Sequence, residues 1–216
     1  LLFLHWVWEE DDLQRRLPAG LKVQTFEGRA YLGLVPFFMR GVRPRGVPAV
    51  PGISDFLEMN LRTYVTDRSG CPGVWFFSLD CNQPLAVWTA RTFFHLAYFR
   101  AYMEAEGSAR EGWDYRCRRA VGGGETRLHY RVRDAGVPAM PGTLEFFLVE
   151  RYLLFSASPK PGKLWKGRVW HRPYALSTAD QTGEVAPVFR SGGFRVPSGA
   201  PEHVDGSPGV DVWIHT

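Results

Sequence analysis

The sequence is poor in lysine. Only four of its 26 basic residues are lysines, and the rest are arginines. The lysines are Lys22, Lys160, Lys163 and Lys166. The formal net charge of +4 is mild and its cations are spread along the chain, whereas a phosphate-binding surface concentrates them on one face. We therefore expect no nucleic-acid partner.

Cysteines and long apolar runs are also scarce. Cys71, Cys81 and Cys117 are odd in number and contain no close pair, which argues against a disulfide framework or a zinc knuckle and fits a reducing cytoplasm. No apolar run approaches the roughly 20 residues of a membrane-spanning helix. The apolar opening LLFLHWVW is short and is soon followed by EEDD. We expect a cytoplasmic protein without a membrane partner.

Common catalytic and ligating motifs are missing as well. The six histidines are His5, His95, His129, His171, His203 and His215. They show no HxH, HExxH or HxxxH spacing, and no GxSxG surrounds a serine. The run Gly122–Gly124 lacks the Lys and Ser/Thr of a phosphate loop and indicates a hairpin turn. We expect no metal and no cofactor.

The most informative stretch that is present runs from Glu58 to Asp80 and predicts two strands joined by a turn. Alternation in the first strand places Glu58, Asn60, Arg62 and Tyr64 on one face. The second strand is apolar on both faces, which is typical of a central strand. Polar groups beside a central strand predict a pocket; the alternatives are the solvent face of an edge strand and a buried structural ion pair.

A second group of polar residues follows the central strand. Ser78 and Asp80 lie at its end, and Arg91 lies on the helix predicted to come next. Polar side chains just past a buried strand often line the mouth of a site, so these three residues are candidate ligand-binding groups. The alternative is that Asp80 and Asn82 are turn and helix-cap residues.

Over the whole chain, predicted strands outnumber predicted helices. Helices are predicted at Glu9–Leu17, Pro84–Leu96 and the start of 141–158, and strands at Arg29–Met39, Tyr98–Ala105, Gly112–Ala120, Glu125–Asp134 and Lys163–Tyr174, the last entered by the turn SPKPGK. The Gly- and Pro-rich tail from Asp180 to Gly206 is interpreted as loose. We predict a single domain over residues 1–216. Because no βαβ rhythm is visible, we predict a mostly β (α+β) fold for it. Its expected form is a curved antiparallel sheet or barrel with two or three helices outside.

Six blocks of the sequence together resemble the YqjF-like bacterial family, a domain of unknown function. They are LLFLHW (1–6), TFEGRAYLGLVPFFMRGVRPRG (25–46), LRTYV (61–65), GVWFFSLD (73–80), GTLEFFLVERY (142–152) and SPGVDV (207–212). The resemblance implies a fold similar to that of acetoacetate decarboxylase, with a curved β-structure around a central cavity.

Acetoacetate decarboxylase works through a lysine whose pKa is lowered by a neighbouring cation, so that the neutral amine forms a Schiff base with a keto acid. The segment HLAYFR (95–100) is the counterpart that the resemblance implies, and it has Tyr98 and Phe99 but no lysine. The strand face with Glu58 and Asn60 resembles the strand that carries a catalytic glutamate in the decarboxylases. The resemblance therefore implies a related fold without the Schiff-base lysine.

Three hypotheses about function follow. The first is a binding cavity for a small organic acid or ketone, in which Arg62 or Arg91 holds the polar head group. The second is a lyase- or hydrolase-like enzyme with Glu58 as general acid or base, assisted by Tyr98. The third is a structural or partner-binding module whose basic ribbon, 116–133, meets an acidic surface. The sequence leaves a homo-oligomer open.

Overall fold

A computed structural model of the chain describes residues 1–157 and 163–215. The strands in these ranges are β1 (Leu2–Trp8), β2 (Leu21–Val23), β3 (Ala30–Met39), β4 (Phe56–Asp67), β5 (Pro72–Cys81), β6 (Tyr98–Ser108), β7 (Gly112–Arg119), β8 (Glu125–Val132), β9 (Val137–Pro138), β10 (Leu153–Ala157), β11 (Leu164–His171), β12 (Ala175–Glu184), β13 (His203–Gly206) and β14 (Val212–His215). The helices are α1 (Glu10–Arg15), α2 (Pro84–Phe93), α3 (Leu144–Val149) and α4 (Ala186–Ser191). No helix in the described ranges is long and apolar enough to cross a membrane.

Nine of the strands close into a barrel. Their order is β5–β6–β7–β8–β12–β13–β1–β3–β4, and β4 pairs back with β5. The predicted mostly β barrel is therefore confirmed. The sheet is mixed rather than wholly antiparallel, because β6 begins after α2 beside the last three residues of β5 and runs parallel to β5. β10 also pairs in parallel with β5 and extends the sheet through β11 to β14.

The barrel interior is apolar and rich in aromatic side chains. Alternate residues of every barrel strand point into it, including Leu4, Trp6, Trp8, Leu32, Leu34, Leu61, Phe77, Met103, Tyr115, Leu128, Tyr130, Ala179 and Val204. Phe189 of α4 packs edge-on against Trp6 and stacks on Trp8, and Phe194 packs against Trp8 and Phe77. Bulky side chains thus fill much of the space that the strands surround.

Helix α4 corrects the predicted helix count and the interpretation of the tail. The structure has four helices in its described ranges rather than two or three, and α4 packs against the interior cluster rather than outside. Residues 180–206, interpreted as loose, also supply half of β12 and all of β13. The Gly- and Pro-rich composition hid these elements, since tertiary packing rather than local propensity stabilises a helix this short.

Other predicted elements are confirmed. α1 and α2 lie within their predicted ranges, the helix-then-strand pattern of 141–158 becomes α3 and β10, and β6, β7 and β8 form the predicted meander. The predicted turn SPKPGK lies almost entirely outside the described residues.

A second layer covers part of the outer barrel wall. α3 packs on outward-facing side chains of β1, β3 and β4, in a cluster that includes Phe3, Tyr31, Val35, Tyr64, Phe147 and Leu148. Val87 of α2 packs beside Phe56 of β4 and Cys81 of β5. The outer face of β4 is consequently buried, and the polar residues on it lie between the barrel wall and the helices.

Candidate functional site

The polar face of β4 faces outward from the barrel and is covered. Pairing with β3 is continuous, so alternation holds along β4, and the bulge between Leu61 and Arg62 is accommodated in β5. Glu58 and Asn60 are only 3% and 5% exposed. The alternative that this is the solvent face of an edge strand is wrong, because β4 pairs on both edges and its polar side chains are buried.

Glu58 forms a short contact with Tyr98 under α2. The Tyr98 hydroxyl donates to Glu58 Oε1 at 2.6 Å, and Cys81 is the residue opposite Glu58 on β5. Burial raises the pKa of Glu58 to about 7, against the smaller opposing effect of the Tyr98 hydrogen bond. Burial and the neighbouring Glu58 raise the pKa of Tyr98 well above its usual value. Glu58 can therefore gain or lose a proton near neutral pH.

Arg62 has a different environment at the other end of the same face. Its Nη2 donates to the carbonyl oxygen of Leu148 at 3.1 Å, and its guanidinium carbon lies 5.7 Å and 5.8 Å from the ring centroids of Phe3 and Tyr64. Its Nε is buried without a hydrogen-bond partner among the described residues. The predicted alternative of a buried ion pair between Glu58 and Arg62 is wrong, because each side chain contacts other groups. Asn60, which lies between them in sequence, has a buried Oδ1 that no described residue contacts as a donor.

Arg151 is a second partly buried cation in this region, and sequence reasoning missed it. Its Nε donates to Phe147 O at 2.7 Å and its Nη1 to Gln24 Oε1 at 2.9 Å, whereas its Nη2 is buried without a partner among the described residues. Its guanidinium carbon lies 5.3 Å from the Tyr64 ring centroid. Burial and the charge of Arg62 lower the pKa of Arg151 to about 10. Within the described ranges, neither guanidinium forms an ion pair.

Tyr64 belongs to a buried row of polar side chains that sequence reasoning also missed. His5 Nε2 lies 2.6 Å from the Tyr64 hydroxyl, and His5 Nδ1 lies 3.0 Å from His203 Nδ1. His203 Nε2 lies 2.9 Å from Asp205 Oδ2, but the two groups are not aligned as a hydrogen bond, and His203 Nε2 is buried without a hydrogen-bond partner among the described residues. Burial, His203 and Arg62 lower the pKa of His5 well below its usual value, so His5 is neutral. We call these four residues the Tyr64–Asp205 chain.

Strand pairing assembles the Tyr64–Asp205 chain. β1 and β13 pair antiparallel with His5 directly opposite His203, although 198 positions separate the two residues. The signal in the sequence was weak, since His5 lies in a short apolar stretch and His203 in a tail that was interpreted as loose.

Ser78 and Asp80 face the barrel interior, away from Arg62. Arg119 donates to both Asp80 oxygens, at 2.7 Å and 3.0 Å, and its Nη1 donates to Ser191 O of α4. Burial raises the pKa of Asp80, with Arg119 opposing the shift. The alternative interpretation of Asp80 as a helix cap is wrong, because Gln83 caps α2. Ser78 Oγ is buried with no hydrogen-bond partner among the described residues.

Arg91 lies exposed in the last turn of α2. The structure therefore does not bring it together with Ser78 and Asp80, which are buried on the inner face of the barrel wall.

The remaining candidate groups lie at the surface. Lys22, Lys163 and Lys166 are exposed, and Lys160 lies outside the described residues. Two surface depressions, of about 420 and 300 Å³, lie on the outer face of β6, β7, β8 and β12. Acidic neighbours pair with much of the basic ribbon there, in the pairs Arg116–Glu104, Arg127–Glu125, Arg131–Asp180 and Arg133–Asp180. In the described ranges no group of three or more His, Cys, Asp or Glu is arranged to hold a metal ion.

The fold is similar to that of acetoacetate decarboxylases. The decarboxylase of Legionella pneumophila subsp. pneumophila str. Philadelphia 1 matches with a TM-score of 0.56 and 11% identity, over 88% of this chain and 74% of that one. The enduracididine biosynthesis enzyme MppR, complexed with the condensation product of pyruvate and imidazole 4-carboxaldehyde, matches with a TM-score of 0.59 and 14% identity. That match covers 98% of this chain and 86% of MppR.

Sequence similarity is stronger to uncharacterised relatives. The uncharacterized protein YqjF of Bacillus subtilis (strain 168) is 37% identical over 203 residues, which are 93% of this chain and 82% of YqjF. Residues 1–211 match DUF2071, a family described as an uncharacterized conserved protein. Because this match spans nearly the whole sequence, the chain belongs to the DUF2071 family.

Proposed function

We propose that the protein binds a small organic acid, including acids that carry a ketone, through Arg62 and Arg151 on the outer wall of the barrel. The observation that carries the proposal is that both guanidinium groups keep a buried N–H without a partner and lack a carboxylate counter-ion among the described residues. A buried charge without a counter-charge is costly, and a bound carboxylate removes that cost by accepting hydrogen bonds from both arginines.

The surroundings suit a small ligand with an apolar remainder. Aromatic rings of Phe3, Tyr64 and Phe147 lie beside the two guanidinium groups. Both arginines are only partly buried, so solvent reaches the margin of the region between β4 and α3. The pyruvate-derived molecule named in the MppR complex supports a choice of small oxo acids as the first ligands to test.

The binding experiment compares Arg62→Met with the wild type. Acetate, pyruvate and acetoacetate are added in turn, the melting temperature is followed by thermal shift, and the dissociation constant is measured by calorimetry. At least one acid should raise the melting temperature of the wild type, because a ligand that binds only the folded state stabilises it. Arg62→Met should weaken that binding about 10- to 100-fold, since a charge-assisted hydrogen bond contributes roughly 1.5–3 kcal/mol.

The matched control is Arg91→Met, which removes an exposed arginine from α2. Its dissociation constant should equal that of the wild type. The proposal fails if no acid binds, or if Arg62→Met binds as tightly as the control.

We further propose that binding involves no Schiff base. The three described lysines are all exposed, and the segment 95–100 has none. Borohydride added to the protein with acetoacetate or pyruvate should therefore leave its mass unchanged. A stable adduct on any lysine, Lys160 included, would contradict this part of the proposal.

A second candidate function is acid–base catalysis by Glu58. The 2.6 Å hydrogen bond from Tyr98 and the pKa of about 7 favour it, because a general acid or base works best when its pKa lies near the operating pH. Glu58→Gln keeps the shape of the side chain and should abolish turnover of a bound acid without changing its dissociation constant. Unchanged carbon dioxide release or hydrolysis in this variant would exclude the role.

A further inference from the structure

We propose that the outer face of β6 and β7 carries a second anion site, which binds a small phosphate monoester through Arg100 and Arg118. The site is the surface depression of about 300 Å³ that both arginines line together with Tyr102 and Asn82. The two arginines of the proposed organic-acid site lie elsewhere, against α3. The phosphate site therefore goes beyond the proposed function and does not depend on it.

Strand alternation places the two arginines on the same outer face. Arg118 lies directly opposite Tyr102 in the pairing of β6 with β7, and Arg100 lies two residues before Tyr102 on β6. All three side chains therefore point the same way, and the diagonal distance of about 7–8 Å between the two arginine positions is one that long side chains bridge. The next residue, Arg119, points into the barrel and pairs with Asp80, which fixes the end of β7.

Neither arginine of the site forms an ion pair within the described ranges. The two glutamates in the depression contact other arginines instead. Glu104 lies 3.9 Å from Arg116, and Glu125, which is directly opposite Arg118 on β8, contacts Arg127. Two cations without counter-ions in one depression match the charge of a phosphate monoester, which is close to −2 at neutral pH, better than the single charge of a carboxylate.

Two neighbours hold donors of the site in place. The guanidinium carbon of Arg118 lies 4.9 Å from the Tyr102 ring centroid, so the ring supports the side chain and leaves its N–H groups free to donate. Asn82 follows the β5 residue that pairs with Arg100. Its Oδ1 accepts from Leu57 N at 2.9 Å, which leaves the amide NH2 as a donor. A phosphate group offers three strong acceptor oxygens to such a set, and guanidinium groups bind it through paired hydrogen bonds.

The depression also has room and apolar surface for the organic part of the ligand. Its volume is at the lower end of the range for ligand sites, which limits the ligand to a small molecule. Tyr102 is 55% exposed, so its ring is open to contact by an apolar or aromatic substituent. The expected ligand class is therefore a phosphate monoester of a small alcohol or phenol.

The test is calorimetric titration with phenyl phosphate at low, constant ionic strength. The wild type should show saturable binding. Arg100→Met and Arg118→Met should each raise the dissociation constant about tenfold or more, because each removes a charge-assisted hydrogen bond, and the double variant should show no saturable binding. Both arginines are exposed, so the variants should keep the melting temperature of the wild type.

The matched control is Arg110→Met, which removes the same charge from the exposed turn between β6 and β7. Its dissociation constant should equal that of the wild type. Benzoate carries the same ring with a single charge, so it should displace phenyl phosphate only at about tenfold higher concentration or more. Equal displacement by the two compounds overturns the assignment to a doubly charged ligand.

Arg62→Met separates this site from the organic-acid site and should bind phenyl phosphate like the wild type. Absence of binding by the wild type, or binding that survives the loss of both Arg100 and Arg118, overturns the phosphate site and leaves the proposed function standing. Binding that is lost in Arg62→Met and retained in the double variant also overturns it, since the phosphate then occupies the organic-acid site.

Discussion

Glu58 and Arg62 lie four residues apart on one face of β4, and their different neighbours give them different chemistry. Glu58 contacts a neutral phenol and is shifted toward its protonated form by burial. Arg62 contacts a carbonyl oxygen and aromatic rings and stays charged without a counter-ion among the described residues. The carboxyl group is therefore suited to exchanging protons, and the guanidinium group to holding an anion.

Glu58 should make the stability of the protein depend on pH. Its pKa rises from 4.5 to about 7 on folding, so the folded state binds the proton more tightly than the unfolded state does. The resulting stabilisation is complete below pH 4.5 and is lost as the pH rises through about 7. At 1.36 kcal/mol per pKa unit, the loss is about 3 kcal/mol.

Urea unfolding of the wild type and of Glu58→Gln at pH 5, 6, 7 and 8 measures this loss. The free energy of unfolding of the wild type should fall relative to the variant as the pH rises. Taking the difference cancels the opposite pH dependence of His5, whose lowered pKa makes the folded state less stable in acid. Parallel curves for the two proteins would show that Glu58 titrates normally.

At the scale of elements, the pairing of β1 with β3 and β13 holds the buried polar groups together. The pairing places Gly33 opposite His5 on one side, and His203 opposite His5 on the other. A glycine is required where a ring lies against the neighbouring strand, because any side chain there would occupy the space of the ring.

Gly33→Ala should therefore destabilise the protein. The added methyl group would overlap the His5 ring, which is fully buried and cannot move into solvent. Overpacking of this kind costs roughly 1–3 kcal/mol. Gly199→Ala is the control, since nothing lies within 4 Å of its added Cβ and its change should stay within about 0.5 kcal/mol. Equal stability of the two variants by thermal and urea unfolding would rule out the close approach.

Sequence reasoning succeeded at this scale where the signal is local. A period of two correctly placed Glu58, Asn60 and Arg62 on one face, because every extended strand has that period. The sequence could not predict whether these side chains face the inside or the outside of the barrel. Both faces of β4 are buried, the outer one by helices and the inner one by the barrel interior. Arg151 was missed because its role depends on the packing of α3 against β4. The contact between His5 and His203 was missed because β13, which carries His203, is only four residues long.

At the scale of the whole molecule, the barrel is closed by a parallel pairing that local patterns do not reveal. The β5–β6 contact follows the α2 crossover, and its register spans only Leu79–Cys81 on β5. The Asp80–Arg119 ion pair reaches across β6 to β7 and on to Ser191 of α4. Asp80 was predicted to line the mouth of a site. Instead it links β5 to β7, on the other side of β6, and through Arg119 to α4 in the barrel interior.

Asp80→Asn should destabilise the whole fold. The side chains of Asp80 and Arg119 are 3% and 9% exposed, so neutralising the carboxylate leaves a buried guanidinium without its counter-charge. Breaking a buried pair in this way costs about 3–5 kcal/mol. Asp180→Asn breaks the ion pair between Asp180 and Arg133. These side chains are 49% and 58% exposed, so the loss should cost at most about 1 kcal/mol.

Salt and ligand separate these two effects further. Raising the salt concentration to about 1 M should remove the small effect of Asp180→Asn, because salt screens exposed charges, and should leave the effect of Asp80→Asn nearly unchanged. Any acid that stabilises the wild type should stabilise Asp80→Asn by the same amount, because Asp80 faces the interior and the two arginines lie on the outer wall. A lost ligand response in a still-folded Asp80→Asn protein would instead move the binding site into the barrel.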